Sequence, residues 1–85
     1  NISLLALYFA SQNDNQEIIQ FLLSQINVID NNTFKNCHKL SHIDIPSNIT
    51  KICYYAFCNC TLVEIVIPNS VTTIGDGVFY GCKSL

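Results

Sequence analysis

Methionine and tryptophan are absent from this 85-residue chain, proline occurs twice and glycine three times. Scarce glycine and proline exclude a collagen-like or proline-rich chain, and the lack of heptads flanked by charged residues excludes a coiled coil. Charge is also in short supply. Charged side chains are 12% of the residues, four cationic against six acidic, for a formal charge of -2. Four cations cannot neutralise a run of phosphates, so no nucleic-acid partner is expected. Long hydrophobic runs are missing too. The greasy stretch from Ile2 to Ala10 has no basic region before it. It is about half of the ~20 residues that a membrane-spanning helix needs, so membrane insertion by this segment is not expected.

What is present is apolar: hydrophobic residues make up 49% of the chain. That content excludes disorder. A compact domain of this size buries only about 60–65% of its unfolded surface, which makes stability marginal. The chain opens on Asn1 rather than Met and stops at Leu85 without a closing segment. The expectation is a piece of a longer protein that is marginally stable or self-associating on its own, with further repeats of the parent chain as its natural neighbours.

An internal repeat resolves the mismatch between short length and high apolar content. The element Phe-x-x-Cys occurs at Phe34–Cys37, Phe57–Cys60 and Phe79–Cys82, with offsets of 23 and then 22 residues. Ile29, Ile52 and Ile74 stand five residues before each Phe, and Leu40, Leu62 and Leu85 follow each Cys. Ile43-x-Ile45-Pro46 and Ile65-x-Ile67-Pro68 come next, each followed three residues later by Ile49 or Val71. The one-residue difference lies between Cys60 and Leu62.

Each copy has a physical reading. Leu-x-x-Ile-x-Ile-Pro ends in period-two alternation, which predicts a short strand with one buried face, and Pro then terminates it. Ser47-Asn48 and Asn69-Ser70 are turn residues. A second extended piece, Ile49-x-x-Ile52 or Val71-x-x-Ile74, adds two more aliphatics before a bend at Asp30-Asn31-Asn32 or Gly75-Asp76-Gly77. One such coil cannot bury its own apolar face, but coils stacked about 4.8 Å apart cover one another.

The pattern resembles the BspA-like class of leucine-rich repeats, Leu-x-x-Ile-x-Ile-Pro-x-Ser-Val-Thr-x-Ile-Gly-x-x-Ala-Phe-x-x-Cys. Ile65, Ile67, Pro68, Ser70, Val71, Thr72, Ile74, Gly75, Phe79 and Cys82 fall on it, and Ala56-Phe57 supplies its Ala-Phe pair. Thr33 and Val78 replace the Ala, and Asp30 and Cys53 replace the Gly. The resemblance covers residues 28–85, about two and a half copies, and implies an α+β fold, a short solenoid of stacked parallel strands. It also implies a surface or secreted protein associated with adhesion, with a host surface or extracellular-matrix protein as ligand.

Residues 1–27 differ. Leu4, Leu5, Leu7 and Tyr8, then Ile18, Ile19, Phe21, Leu22, Leu23 and Ile26, follow helical spacing around the polar run Ser11 to Gln16. The spacing predicts a helical hairpin that caps the first coil. Asn13 or Asp14 is the expected N-cap of the second helix, with Glu17 completing a capping box if Asp14 caps. Ala10-Ser11-x-Asn13-Asp14-Asn15-x-Glu17-Ile18-Ile19-x-Phe21-Leu22-Leu23 is similar to the helix pair of an ankyrin repeat, although the Thr-Pro-Leu-His start is missing.

Five cysteines and two histidines raise the question of a metal site. Cys53, Cys58 and Cys60 are spaced C-x4-C-x-C, and His38 and His42 lie four apart. The repeat frame favours structure instead: Cys37, Cys60 and Cys82 occupy one equivalent position, a buried column of small hydrophobes. Cys53 and Cys58 fall outside the shared pattern and are expected at a turn, partly exposed. His38 and His42 are expected to be exposed rather than ligands. Side chains on adjacent rungs point in parallel, which disfavours a disulfide. No nucleophile–base motif is present, and Gly75-Asp76-Gly77 lacks the Gly-Lys-Ser/Thr of a phosphate loop. No enzyme activity, cofactor or metal is therefore expected. The outward positions of the two strand-like segments remain, and His42, Asp44, Glu64 and Val66 are the expected protein contacts. An intracellular scaffold is the rival reading, since free cysteines are uncommon outside reducing compartments.

Overall fold

The computed structural model describes residues 4–85. Helix α1 spans Leu4–Gln12 and α2 spans Gln16–Leu23, followed by the strands β1 (Val28–Ile29), β2 (Lys51–Ile52) and β3 (Thr73–Ile74). The strands form one parallel sheet in the order β1-β2-β3, with Val28 opposite Lys51 and Lys51 opposite Thr73. These pairings step by 23 and then 22 residues, the offsets of the repeat itself. The fold is α+β. Of the stretch from Ile2 to Ala10, residues 4–10 belong to α1, and Ile2 lies outside the described residues. No helix among the described residues is long and apolar enough to cross a membrane.

The helices are joined by a turn in which every residue has a task. Asp14 is left-handed, with φ 50°. Its N–H donates to the Ser11 carbonyl and the Asn15 N–H to the Ala10 carbonyl, the paired bonds of a Schellman motif that ends α1. Asp14 in that conformation cannot also cap the next helix, and Asn13 still closes α1 with its N–H on the Ala10 carbonyl at 3.3 Å, so the expected cap at Asn13 or Asp14 is corrected. Asn15 is the N-cap, and its side chain accepts from the Ile18 N–H. Glu17 is then one position short of the capping box. Asn15→Ala is expected to cost about 1 kcal/mol. Asn13→Ala should cost clearly less in thermal denaturation, and equal losses would contradict this cap assignment.

Coils 28–50, 51–72 and 73–85 stack mainly through their turns. Asn32, Phe34 and Asn36 donate backbone N–H bonds to the carbonyls of Tyr54, Ala56 and Cys58. Tyr55, Phe57 and Asn59 donate in the same way to Asp76, Val78 and Tyr80. The ends of each turn are left-handed: Asn32 and Asn36, then Tyr55 and Asn59, then Gly77 and Gly81. Asn tolerates that conformation and Gly prefers it. Asn59 also donates its side-chain amide to that of Asn36 at 3.1 Å. Between the turns runs a column of rings, with Phe34 and Phe57 stacked 5.0 Å apart and Phe57 and Phe79 5.8 Å apart. Leu7, Ile19 and Leu23 of the helices join the core formed by Ile29, Phe34, Leu40 and Ile49.

The strand expectation needs correction. The paired strands lie in the second extended piece of each repeat, not in Leu-x-x-Ile-x-Ile-Pro. Segments 40–46 and 62–68 carry no strand, and the one backbone hydrogen bond between them runs from the Val63 N–H to the Ser41 carbonyl at 3.0 Å. The period-two burial is real, since Ile43 and Ile45 are buried and His42 and Asp44 exposed. Alternation of burial follows from an extended backbone, whereas a strand also needs a partner at hydrogen-bonding distance.

Candidate protein-binding groove

The partner of segment 40–46 on one side is a helix. The Gln20 side chain accepts from the Asp44 N–H at 3.2 Å and donates to the Asp44 carbonyl at 2.9 Å, and Gln16 donates to the His42 carbonyl at 2.9 Å. Four residues along a helix advance about 6.0 Å and two residues along an extended chain about 6.6 Å, so the two glutamines meet alternate peptide groups. Asn48 fastens the same junction by donating to the carbonyls of Leu23 and Ile26 at 2.9 and 2.6 Å. Asn27 in turn donates to the Asn48 carbonyl at 3.1 Å.

In a parallel arrangement alternate residues direct both peptide groups to opposite neighbours. His42 and Asp44 face α2, so Ser41, Ile43 and Ile45 face segment 62–68. After the Val63–Ser41 bond, the ladder that would join Ile43 and Ile45 to Ile65 and Ile67 is open. Among the described residues these peptide groups have no hydrogen-bond partner. The gap is a groove of about 280 Å³. His42, Asp44, Glu64 and Val66 all line it, with Ile43, Ile45, Ile65 and Pro68 between them. The four expected contact positions therefore lie on one groove. All four are exposed, Val66 most of all at 76%. Among the described residues neither Asp44 nor Glu64 has a cationic partner within 4.0 Å. The His42 ring nitrogen Nδ1 lies 3.0 Å from the Ser41 hydroxyl.

The glutamines that hold one edge of the groove escape a reading of the repeat, because they belong to α2. Their spacing is the signal: Gln16 and Gln20, four apart on one helix face, match outward positions two apart on an extended segment.

The cysteines follow the frame with two exceptions, Cys82 and Cys58. Cys37 and Cys60 are buried and Cys82 is half-buried. The Cys60 thiol donates to the Phe34 carbonyl at 2.8 Å and the Cys82 thiol to the Phe57 carbonyl at 2.9 Å, while Gln12 donates to the Cys37 sulfur at 3.6 Å. The hydrogen bond with Cys37, followed by burial, holds the Cys60 thiol well above the ordinary thiol range, and burial raises Cys82. The hydrogen bond with Cys60 shifts Cys37 the other way, below the ordinary thiol range, against the opposing effect of burial. Cys53 is half-buried as expected, but Cys58 is buried, which corrects the expectation of partial exposure. Its short side chain sits in the middle coil at the frame position that Lys35 and Tyr80 fill in the coils on either side. His38 and His42 are both exposed. Among the described residues no group of three or more His, Cys, Asp or Glu is arranged to hold a metal ion.

Comparison with known families agrees with the repeat frame. The family model described as "BspA type Leucine rich repeat region (6 copies)" matches residues 7–85. The match takes in most of α1 and all of α2 as well as the coils. No curated protein and no solved structure matches the chain. With all but its first six residues covered by that model, and with strand pairing that follows the repeat offsets, the chain belongs to the BspA-type leucine-rich repeat family.

Proposed function

We propose that this chain is a non-enzymatic protein-binding module, a short solenoid capped at its first coil by the α1–α2 hairpin, with His42, Asp44, Glu64 and Val66 as its contact residues. The observation that carries this reading is the groove, where four outward positions from two coils meet over an apolar floor. The hydrogen bonds from Gln16 and Gln20 of α2 to the first coil, and from Asn48 of that coil back to Leu23, support the capping role. A role in adhesion at a cell surface or after secretion follows from the family, whose members are typically surface or secreted proteins. Protein–protein recognition is the common use of such repeats, through exposed side chains held on a rigid stack.

Binding of the chain to a panel of immobilised extracellular-matrix proteins tests the proposal. Asp44→Lys with Glu64→Lys is expected to weaken the interaction by about tenfold or more, as reversal of two interfacial charges should. Tyr80→Lys, on the turn side of the stack, should leave it within about twofold. Failure to bind any of the panel, or equal losses for both variants, overturns the assignment.

A further inference from the structure

The geometry points to an arginine side chain of an extended peptide as the occupant of the groove between segments 40–46 and 62–68. This inference rests on the reading of that groove as the binding surface and adds the chemistry of what it takes. The groove, at about 280 Å³, lies just below the roughly 300–1,000 Å³ of small-molecule and cofactor sites. It suits a single long side chain. One bank carries Asp44 and the other Glu64, and among the described residues neither carboxylate is neutralised.

Between the banks the open ladder leaves the carbonyls of Ile43 and Ile45 without partners. Those carbonyls and the two carboxylates put acceptors on both banks of the groove, and Ile43, Ile65 and Val66 line its walls. Arginine complements both features. Its planar guanidinium presents five donors and no acceptor, and can reach carboxylates on two banks at once. Its methylene stem packs on aliphatic walls. Lysine offers a compact, strongly hydrated charge that cannot span the two banks in the same way. The N–H groups of Ile65 and Ile67, also open, are left for the carbonyls of the peptide that bears the arginine. This chain contains no arginine, so a second copy cannot supply it.

The test is a titration of the isotopically labelled 85-residue chain with capped Ala-Val-Arg-Val-Ala, followed by backbone amide shifts. Parallel peptides carry lysine, citrulline or glutamate at the centre. The arginine peptide is expected to shift the amides of Ile43, Ile65 and Ile67 saturably. Citrulline, of the same shape without the charge, should bind about tenfold more weakly and lysine about threefold more weakly. Binding should fall as the Debye length shrinks from about 30 Å to about 3 Å between 0.01 and 1 M salt. Asp44→Asn with Glu64→Gln, both at exposed positions, should bring the arginine peptide down to the citrulline level without moving amides of the helices.

Equal binding of citrulline or glutamate at the same amides overturns the choice of arginine while leaving the groove as the binding surface. Arginine binding that the double variant does not weaken also overturns it. If no peptide shifts those three amides, both the occupant and the groove reading fail.

Discussion

Phe57→Ala is expected to lower stability by about 3–5 kcal/mol, the range for removing a large aromatic from a packed core. Phe57 is fully buried, and it is the middle ring of the column, stacked on Phe34 on one side and Phe79 on the other. Truncation leaves a cavity between two coils that cannot close without breaking the bonds from Phe34 to Ala56 and from Phe57 to Val78. A chain of this length has a total stability of only about 4–13 kcal/mol, so much of it is lost. At roughly 4–8 °C per kcal/mol, the midpoint of thermal unfolding should fall by tens of degrees or the fold should fail to form at room temperature. Phe79→Ala supplies the control. Phe79 is only half-buried and has one stacking neighbour, so its loss should cost about half as much. Equal losses in urea denaturation would show that the column does not stabilise through its middle ring.

Gly75→Ala should destabilise by about 1–3 kcal/mol, the usual penalty of overpacking. A Cβ on Gly75 would stand 2.6 Å from the Tyr54 backbone nitrogen and 3.0 Å from the Cys53 carbonyl carbon. Those are main-chain atoms of the coil beneath, and no rotamer change relieves the clash. Relief requires the third coil to lift from the second, which stretches the bonds from Gly75 to Ile52 and from Tyr55 to Asp76, now 2.8 and 3.0 Å. The measurement is urea denaturation together with hydrogen exchange. Faster exchange is expected at Gly75, Tyr55 and Phe57, with the helix amides unchanged. An unaltered midpoint and unaltered exchange at Gly75 would refute the close-approach argument.

Gly75 also shows where a sequence stops being informative. Asp30 and Cys53 occupy the same frame position with side chains, so the repeat alone presents glycine as one choice among three. Only the distance to the Tyr54 backbone makes the absence of a side chain a requirement in the third coil. Cys58 gives a parallel case: it is buried, whereas Lys35 and Tyr80 at the same frame position in the neighbouring coils are exposed, a difference the repeat pattern does not carry. The cap at Asn15 was hidden for a local reason. Asn13, Asp14 and Asn15 are all chemically able to cap, but Asn13 and the left-handed Asp14 are both used to finish α1, which leaves Asn15. Of the groove, the rim was legible, because His42, Asp44, Glu64 and Val66 alternate with apolar residues. The opening itself was not, because it arises where Gln16 and Gln20 take one edge of segment 40–46 and the ladder on the other edge stops at Ser41.

The sequence by itself determined the period of the stack and its register. Steps of 23 and 22 residues between Phe-x-x-Cys elements became the steps between paired strands, since identical apolar patterns bury best when aligned. It also determined which residues point inward, through alternation along an extended backbone. The tertiary structure decided how deeply each is buried. Ile29 and Ile52 are completely inaccessible, while Ile74, the same residue at the same frame position, is 49% exposed. Leu40 and Leu62 are likewise fully buried against 50% exposure for Leu85. A coil contributes one layer, and burial needs a layer on each side, a condition set by neighbours in space that no single repeat encodes.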